Sequence, residues 1–291
     1  MKDSPIVVGL GELLWDMLPK GKQLGGAPAN FAYHAAGLGA EGRVVSAVGT
    51  DGLGEELAAR LHQLGLATTW LQRDGSHPTG TVDVELDAHG KPTYTIHEDV
   101  AWDFIRWDAA VAEVATTCDA VCFGSLCQRS KVSRATILEF LAHTQPECVR
   151  VFDINLRQQF YARPVVEASL RACSVLKLND EELPVVAAML GIAGNPNDVL
   201  RSLVELFDLE LCALTRGASG SLLVSPEGSA DHPGVPVDVV DTVGSGDAFA
   251  AAVAMGVLRG DSLEDISNRA NTLAARVCAA HGATPAINWN V

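Results

Sequence analysis

Asp241-Thr242-Val243-Gly244-Ser245-Gly246-Asp247, followed by the apolar run Ala248 to Leu258, decides how this chain is read. Two acids flank a glycine-rich turn that opens a helix. The first N–H groups of a helix have no intrahelical partner and carry the positive end of its dipole, so they can hold an anion. Asp247 sets one carboxylate beside that anion. An anion hole next to a base is what moving a phosphoryl group onto a hydroxyl requires. Gly244, Ser245, Gly246 and Asp247 are therefore the candidate catalytic residues. The plain alternative is a glycine turn capped by an acid.

Working outward, short β-branched runs alternate with helical patterns. Strands are expected at Ile6–Gly9, Arg43–Val48, Ala120–Gly124, Val149–Asp153, Val175–Leu178 and Leu211–Thr215. Helices are expected at Pro28–Leu38, Gly54–Leu64, Asp108–Ala115, Val132–His143, Val165–Arg171, Glu181–Leu190 and Asn197–Phe207. Gly246–Arg259 and Leu263–Ala280 close the chain as two more helices. Such alternation predicts an α/β fold with a mostly parallel sheet covered on both faces. Two segments break the pattern. Glu12–Gly25 is extended around Pro19. Gly80–Leu86 and Pro92–Ile96 form a hairpin turning at Asp87-Ala88-His89-Gly90. Together they suggest a small β lid, over about 12–25 and 78–104, above a site at the strand ends. Decorative surface hairpins are the plainer reading. The chain, 1–291, is expected to be a single domain.

Composition narrows the function classes. The chain has 291 residues, 48% hydrophobic and 20% charged, with a formal net charge of -15. That argues against nonspecific binding to nucleic acid or to an anionic membrane. Seven cysteines are scattered without a CxxC pair, which points to reduced thiols, a cytoplasmic protein and no zinc site. The amino-terminal stretch lacks a signal-peptide pattern, and no apolar run is long enough to span a bilayer.

Further polar groups stand where expected strands end. Asp16 follows the first strand and suits a pair of neighbouring hydroxyls. Gly25-Gly26-Ala27-Pro28-Ala29-Asn30 opens a helix: the glycines permit close backbone approach, and Asn30 offers a donor and an acceptor. Arg157, in Asp153-Ile154-Asn155-Leu156-Arg157, suits phosphate or substrate oxygens. Asn179 and Glu182 suit water around Mg²⁺, with simple helix-start charge as the other reading. Thr215, Gly217 and Gly220 suit nucleotide phosphates or ribose, and also a tight hairpin. No GxxxxGK[ST] stretch and no protein-kinase motif set occurs.

In this order, these residues resemble the PfkB/ribokinase family of small-molecule kinases. Gly25 to Asn30 is similar to its first signature, and Asp241 to Phe249 to its second, with Ser245 where Ala is commoner. Gly49 to Gly54, Asn179-x-x-Glu182 and Thr215-x-Gly217-x-x-Gly220 fall between them. The resemblance spans essentially the whole chain. It implies a ribokinase-like αβα sandwich with a β lid, ATP as donor and Mg²⁺ as cofactor. It implies that Asp247 is the base and that Gly244 to Asp247 form the anion hole. It implies sugar contacts at Asp16, Gly26, Asn30, Arg157 and Asp247. Asn179, Thr215, Gly217, Gly220, Gly244, Gly246 and Asn271 fall on the nucleotide side. A K⁺ site would use backbone oxygens near Asp241, Val243, Ala280 and Gly282. Phe104, in Val100-Ala101-Trp102-Asp103-Phe104, is expected against the sugar or in lid packing. The stretch Glu12 to Asp16 with Leu24 to Ala32 looks most like fructokinases; 2-keto-3-deoxygluconate kinase is the alternative. A catalytically silent sugar-binding regulator on the same fold is a different class of answer. A homodimer through lid-strand edges is also expected.

Overall fold

The structure is a computed structural model that describes residues 4–19, 21–86 and 92–291. Its frame is a nine-stranded sheet ordered β13-β12-β11-β10-β9-β8-β1-β4-β5. These strands are β1 (Ile6–Leu10), β4 (Glu41–Gly49), β5 (Leu71–Asp74), β8 (Ala120–Phe123), β9 (Val149–Asp153), β10 (Val175–Asn179), β11 (Leu211–Thr215), β12 (Ser221–Ser225) and β13 (Gly228–His232). Pairing is parallel from β5 across to β11, and antiparallel for β12 and β13. The chain runs outward one way through β1, β4 and β5, and the other way from β8 to β11. Its order therefore reverses between β1 and β8, and in such sheets a crevice opens beyond the carboxyl ends of the strands at that point.

Alternation along the strands fills both faces. Val7 and Val151 belong to the core under α1 (Ala27–Gly37), α8 (Ser245–Arg259) and α9 (Leu263–Cys278). Val8, Leu10 and Phe152 belong to the opposite core. That core also takes residues of α3 (Ala109–Thr117), α4 (Lys131–His143), α5 (Arg163–Ala172), α6 (Glu182–Leu190) and α7 (Pro196–Phe207). The remaining helix, α2 (Gly52–Gln63), packs with β4, and Asp51 caps it by accepting from Gly54 N–H at 2.8 Å. Strands buried on both faces read as near-continuous apolar runs, which is why they were visible in the sequence.

The second sheet, ordered β3-β2-β6-β7, is built from the two segments that broke the alternation. Its strands are β2 (Leu14–Leu18), β3 (Gly21–Gly25), β6 (Gly80–Leu86) and β7 (Pro92–Ile96). The hairpins β2–β3 and β6–β7 are antiparallel, whereas β2 pairs with β6 in parallel. The hairpin turn expected at Asp87 to Gly90 lies outside the described residues. Two strands were not expected: β5, and β13 with its sequence Gly-Ser-Ala-Asp-His.

Candidate active site

Helix α8 begins at the opening motif. Gly244 is its N-cap at φ +81°, a left-handed conformation that suits glycine. A Cβ at Gly244 would lie 2.5 Å from the Ala283 carbonyl oxygen, so the loop at Ala283 also requires glycine there. The amides of Gly244, Gly246 and Asp247 donate to no protein acceptor, whereas Ser245 N–H turns to Thr242 O at 3.3 Å. Among the described residues the candidate anion hole thus has three free donors rather than four successive ones.

Asp247 meets the amino-terminal half of the chain directly. Asn30 Nδ2, in the first turn of α1, donates to Asp247 Oδ2 at 2.8 Å across 217 residues. Asn30 Oδ1 is buried without a partner, which leaves an acceptor free beside Asp247. Gly26 is the N-cap of α1, and its Cα rests on the Glu12 carbonyl so closely that any Cβ would overlap it. Burial pushes the Asp247 carboxyl up to about 6; Asp153 adds to the rise, while Asn30, Lys177 and Arg157 oppose it.

Of the other acceptor-side candidates, Arg157 acts on both Asp16 and Asp247, whereas Phe104 meets His77. Asp16 lies on β2 in the small sheet and packs on Gly25. Burial raises its carboxyl to about 6, against the pull of Arg157. Arg157 follows β9 in a stretch where Asn155 (φ +43°) and Gln158 (φ +48°) are both left-handed. Non-glycine residues held in that region tend to mark functional sites. Phe104 stacks on the His77 ring with centroids 3.6 Å apart, at the end of the buried turn Ala101–Phe104.

The nucleotide-side candidates line the next strand ends. Asn179 and Thr215 are register partners on β10 and β11. Asn179 Oδ1 caps α6 by accepting from the amides of Glu181 and Glu182 at 2.9 and 2.8 Å. Glu182 is buried and accepts from Leu156 N–H at 2.9 Å and Asn179 N–H at 2.8 Å. Gly217 and Gly220 form the turn into β12. Asn271 stands apart from these contacts: its Nδ2 donates to Ser221 Oγ and to Ser267 O, both at 2.8 Å. Asp241 braces the motif from below, with Oδ1 accepting from Val243 N–H and Oδ2 from Gly282 N–H, both at 3.0 Å. Among the described residues, no cluster of three or more His, Cys, Asp or Glu is placed to hold a metal ion. No helix among them is long and apolar enough to cross a membrane.

Sequence reasoning missed three groups. Lys177 lies buried beneath Gly246, its Nζ 3.0 and 3.1 Å from the Asp153 oxygens. Burial disfavours its charge, but Asp153, Glu182 and Asp247 outweigh that and raise its pKa. A lysine inside the apolar run Val175-Leu176-Lys177-Leu178 was the available signal. Glu12, just past β1, is buried with Oε2 unpartnered. Burial pushes it up to about 7; its own backbone opposes the rise, and Asp247 adds to it. His34 on α1 is fully buried, and its Nε2 donates to Ala283 O at 2.9 Å, the carbonyl that faces Gly244.

Free amides at a helix start, a carboxylate beside them and a polar acceptor end define a class: a phosphotransferase acting on an alcohol group. The profile of the pfkB family carbohydrate kinases matches residues 20–290, and the chain belongs to that family. It is 30% identical to the Pyrococcus horikoshii sugar kinase PH1459 over 294 aligned residues, covering 93% of this chain and 89% of that one. The crystal structure of PH1459 in complex with ATP superposes with a TM-score of 0.82 at 28% identity, over 96% of this chain and 94% of that one. A Salmonella typhimurium fructokinase is 29% identical, covering 94% of this chain and 92% of its own length. The aminoimidazole riboside kinase of Salmonella typhimurium is 27% identical, covering 99% and 93%. The fold is thus ribokinase-like, and the chain is a sugar kinase of the PfkB type.

Proposed function

We propose that this sugar kinase transfers the γ-phosphoryl group of ATP to a primary hydroxyl of a neutral ketose, fructose. The observation that carries the choice of a neutral acceptor is the charge at the acceptor end. Asp16 and Asp247 stand there against Arg157. A sugar acid such as 2-keto-3-deoxygluconate would bring a further negative charge into that set, whereas a polyol offers hydroxyls that carboxylates accept from.

In this reading Asp247 takes the proton of the acceptor hydroxyl, and Asn30 holds the carboxylate in place. The free amides of Gly244, Gly246 and Asp247 stabilise the charge on the phosphoryl oxygens. Asn179, Thr215, Gly217 and Gly220 serve the nucleotide. Asn271 acts from further off, by holding Ser221 at the start of β12. Glu182 keeps lone pairs free after its two amide bonds, which fits a water-mediated contact to Mg²⁺ rather than direct ligation. The Mg²⁺ would neutralise phosphate charge. Backbone oxygens near Asp241, Val243, Ala280 and Gly282 would hold K⁺. The small sheet acts as a lid that excludes water, with Phe104 against the sugar face. A homodimer forms through the outer strands β3 and β7 of that sheet; a monomeric mass by light scattering would refute that part. The residues span one domain.

An ADP-release assay with ATP and Mg²⁺ tests the reading, comparing fructose, 2-keto-3-deoxygluconate, ribose and adenosine. Fructose is expected to give the highest kcat/KM. A higher value for the sugar acid overturns the neutral-acceptor argument. Sugar binding without ADP release favours a silent regulator.

A further inference from the structure

At the amino-terminal edge of the large sheet, opposite the candidate active site, a cleft of about 670 Å³ is lined by Glu113, Gln145 and Glu147 together with Cys118 and Cys148. The two sulfurs lie 3.7 Å apart. Both cysteines stand at junctions rather than inside elements: Cys118 is the C-cap of α3, and Cys148 immediately precedes β9. A disulfide needs the sulfurs at about 2.05 Å, so closure from 3.7 Å is a movement of about 1.7 Å between the two side chains.

We propose that Cys118 and Cys148 form a modification site for small hydroperoxides, with Cys148 attacking, Cys118 resolving and an intramolecular disulfide as the product. The roles follow from the surroundings. Cys118 S–H faces Cys148 Sγ and Ala115 O. The hydrogen bond between the two sulfurs raises the Cys118 pKa and lowers that of Cys148, where burial and Asp119 oppose the fall and Arg150 and Thr144 favour the thiolate. Cys118 and Cys148 are buried like Cys122, Cys127, Cys173 and Cys212, but the first two line the cleft, whereas the other four do not and burial pushes their thiols up. A thiolate-favouring sulfur next to a second thiol is the arrangement of peroxide-sensitive cysteines.

The chemistry balances. The Cys148 thiolate attacks one peroxide oxygen; an S–O bond forms, the O–O bond breaks, and the leaving hydroxide or alkoxide takes a proton. Cys118 then attacks the sulfenic sulfur. The S–S bond forms, the S–O bond breaks, and hydroxide leaves as water with the Cys118 proton. Two thiols are oxidised, and the hydroperoxide is reduced to water or alcohol.

The test is peptide mapping by mass spectrometry of the reduced full chain, before and after titration with hydrogen peroxide. The expected product is a Cys118–Cys148 linked peptide, lighter by two hydrogens and restored by dithiothreitol, with the other cysteines unmodified. Cys118→Ser is expected to leave Cys148 as a sulfenic acid trapped by dimedone, and Cys148→Ser to leave Cys118 unreacted. Linkage between other cysteines, or oxidation elsewhere with these two still reduced, overturns the proposal. Wild-type mapping decides the matter even if a variant fails to fold.

Discussion

Asp247→Asn separates catalysis from stability. The carboxyl sits at about 6 in the fold against an ordinary 3.8. A folded pKa above the unfolded one means that the folded state binds more protons between those values. Stability therefore falls as pH rises from about 4 to about 6, and the loss is complete above that window. Asparagine cannot ionise, so it does not incur this loss, and its side-chain oxygen still accepts from Asn30 Nδ2. Two pKa units correspond to about 3 kcal/mol, and solvent screening of a half-buried group reduces that to about 1–3 kcal/mol. For a chain of this length the variant should melt about 2–5 °C higher at pH 8. The gain should vanish near pH 4. Turnover should fall at least about a hundredfold, the usual lower range for a lost general base. Differential scanning fluorimetry across pH, paired with ADP release, measures both. An equal or lower Tm at pH 8, a gain that persists on acidification, or near-normal turnover would refute the reasoning.

Other consequences are more direct. The acid limb of kcat/KM should bend near pH 6, falling tenfold per unit below it as Asp247 is protonated; a flat profile down to pH 5 contradicts a base of that pKa. Lys177→Met leaves Asp153 buried without its cation, and chemical denaturation should show a loss of about 3–5 kcal/mol; a loss under 1 kcal/mol would mean that the pair adds little. His34→Ala frees the Ala283 carbonyl beside Gly244 and should lower kcat about tenfold with the sugar KM little changed. His34→Gln, whose Nε2 reaches the same carbonyl, should restore most of it, and no difference between the two variants would remove the hydrogen bond from the argument.

What was legible in the sequence follows from how each element is buried. Strands such as Val149–Asp153 and Leu211–Thr215 lie inside a sheet covered on both faces, and their boundaries were read without error. β5 (Leu-Gln-Arg-Asp) and β13 stand at the two edges of that sheet, where one side of the strand has no partner and polar residues are tolerated, so no apolar run announced them. The motif residues stood out because glycine and proline constrain the backbone locally. Glu12, Lys177 and His34 did not, because their importance lies in partners distant in sequence. His34, for example, meets a carbonyl 249 residues away.

Two of those buried groups, Glu12 and Lys177, also bear on how a chain of net charge -15 would host phosphate chemistry. Near Asp247, the acids Glu12, Asp16, Asp153 and Glu182 face the cations Lys177 and Arg157. Burial is the main reason that Glu12 holds its proton to about 7, and Asp247 and Asp153 add to the rise. Asp247 itself ionises near 6, so its carboxylate is the form present at neutral pH, as the proposed base requires. An arriving phosphate would push Asp247 back toward protonation. Two features of the chain oppose that push: the free amides at the start of α8 and Lys177 beneath Gly246. In this arrangement burial, with Asp153 adding to it, sets the Asp247 carboxyl near the working pH, and the free amides at the start of α8 oppose the push of a bound phosphate.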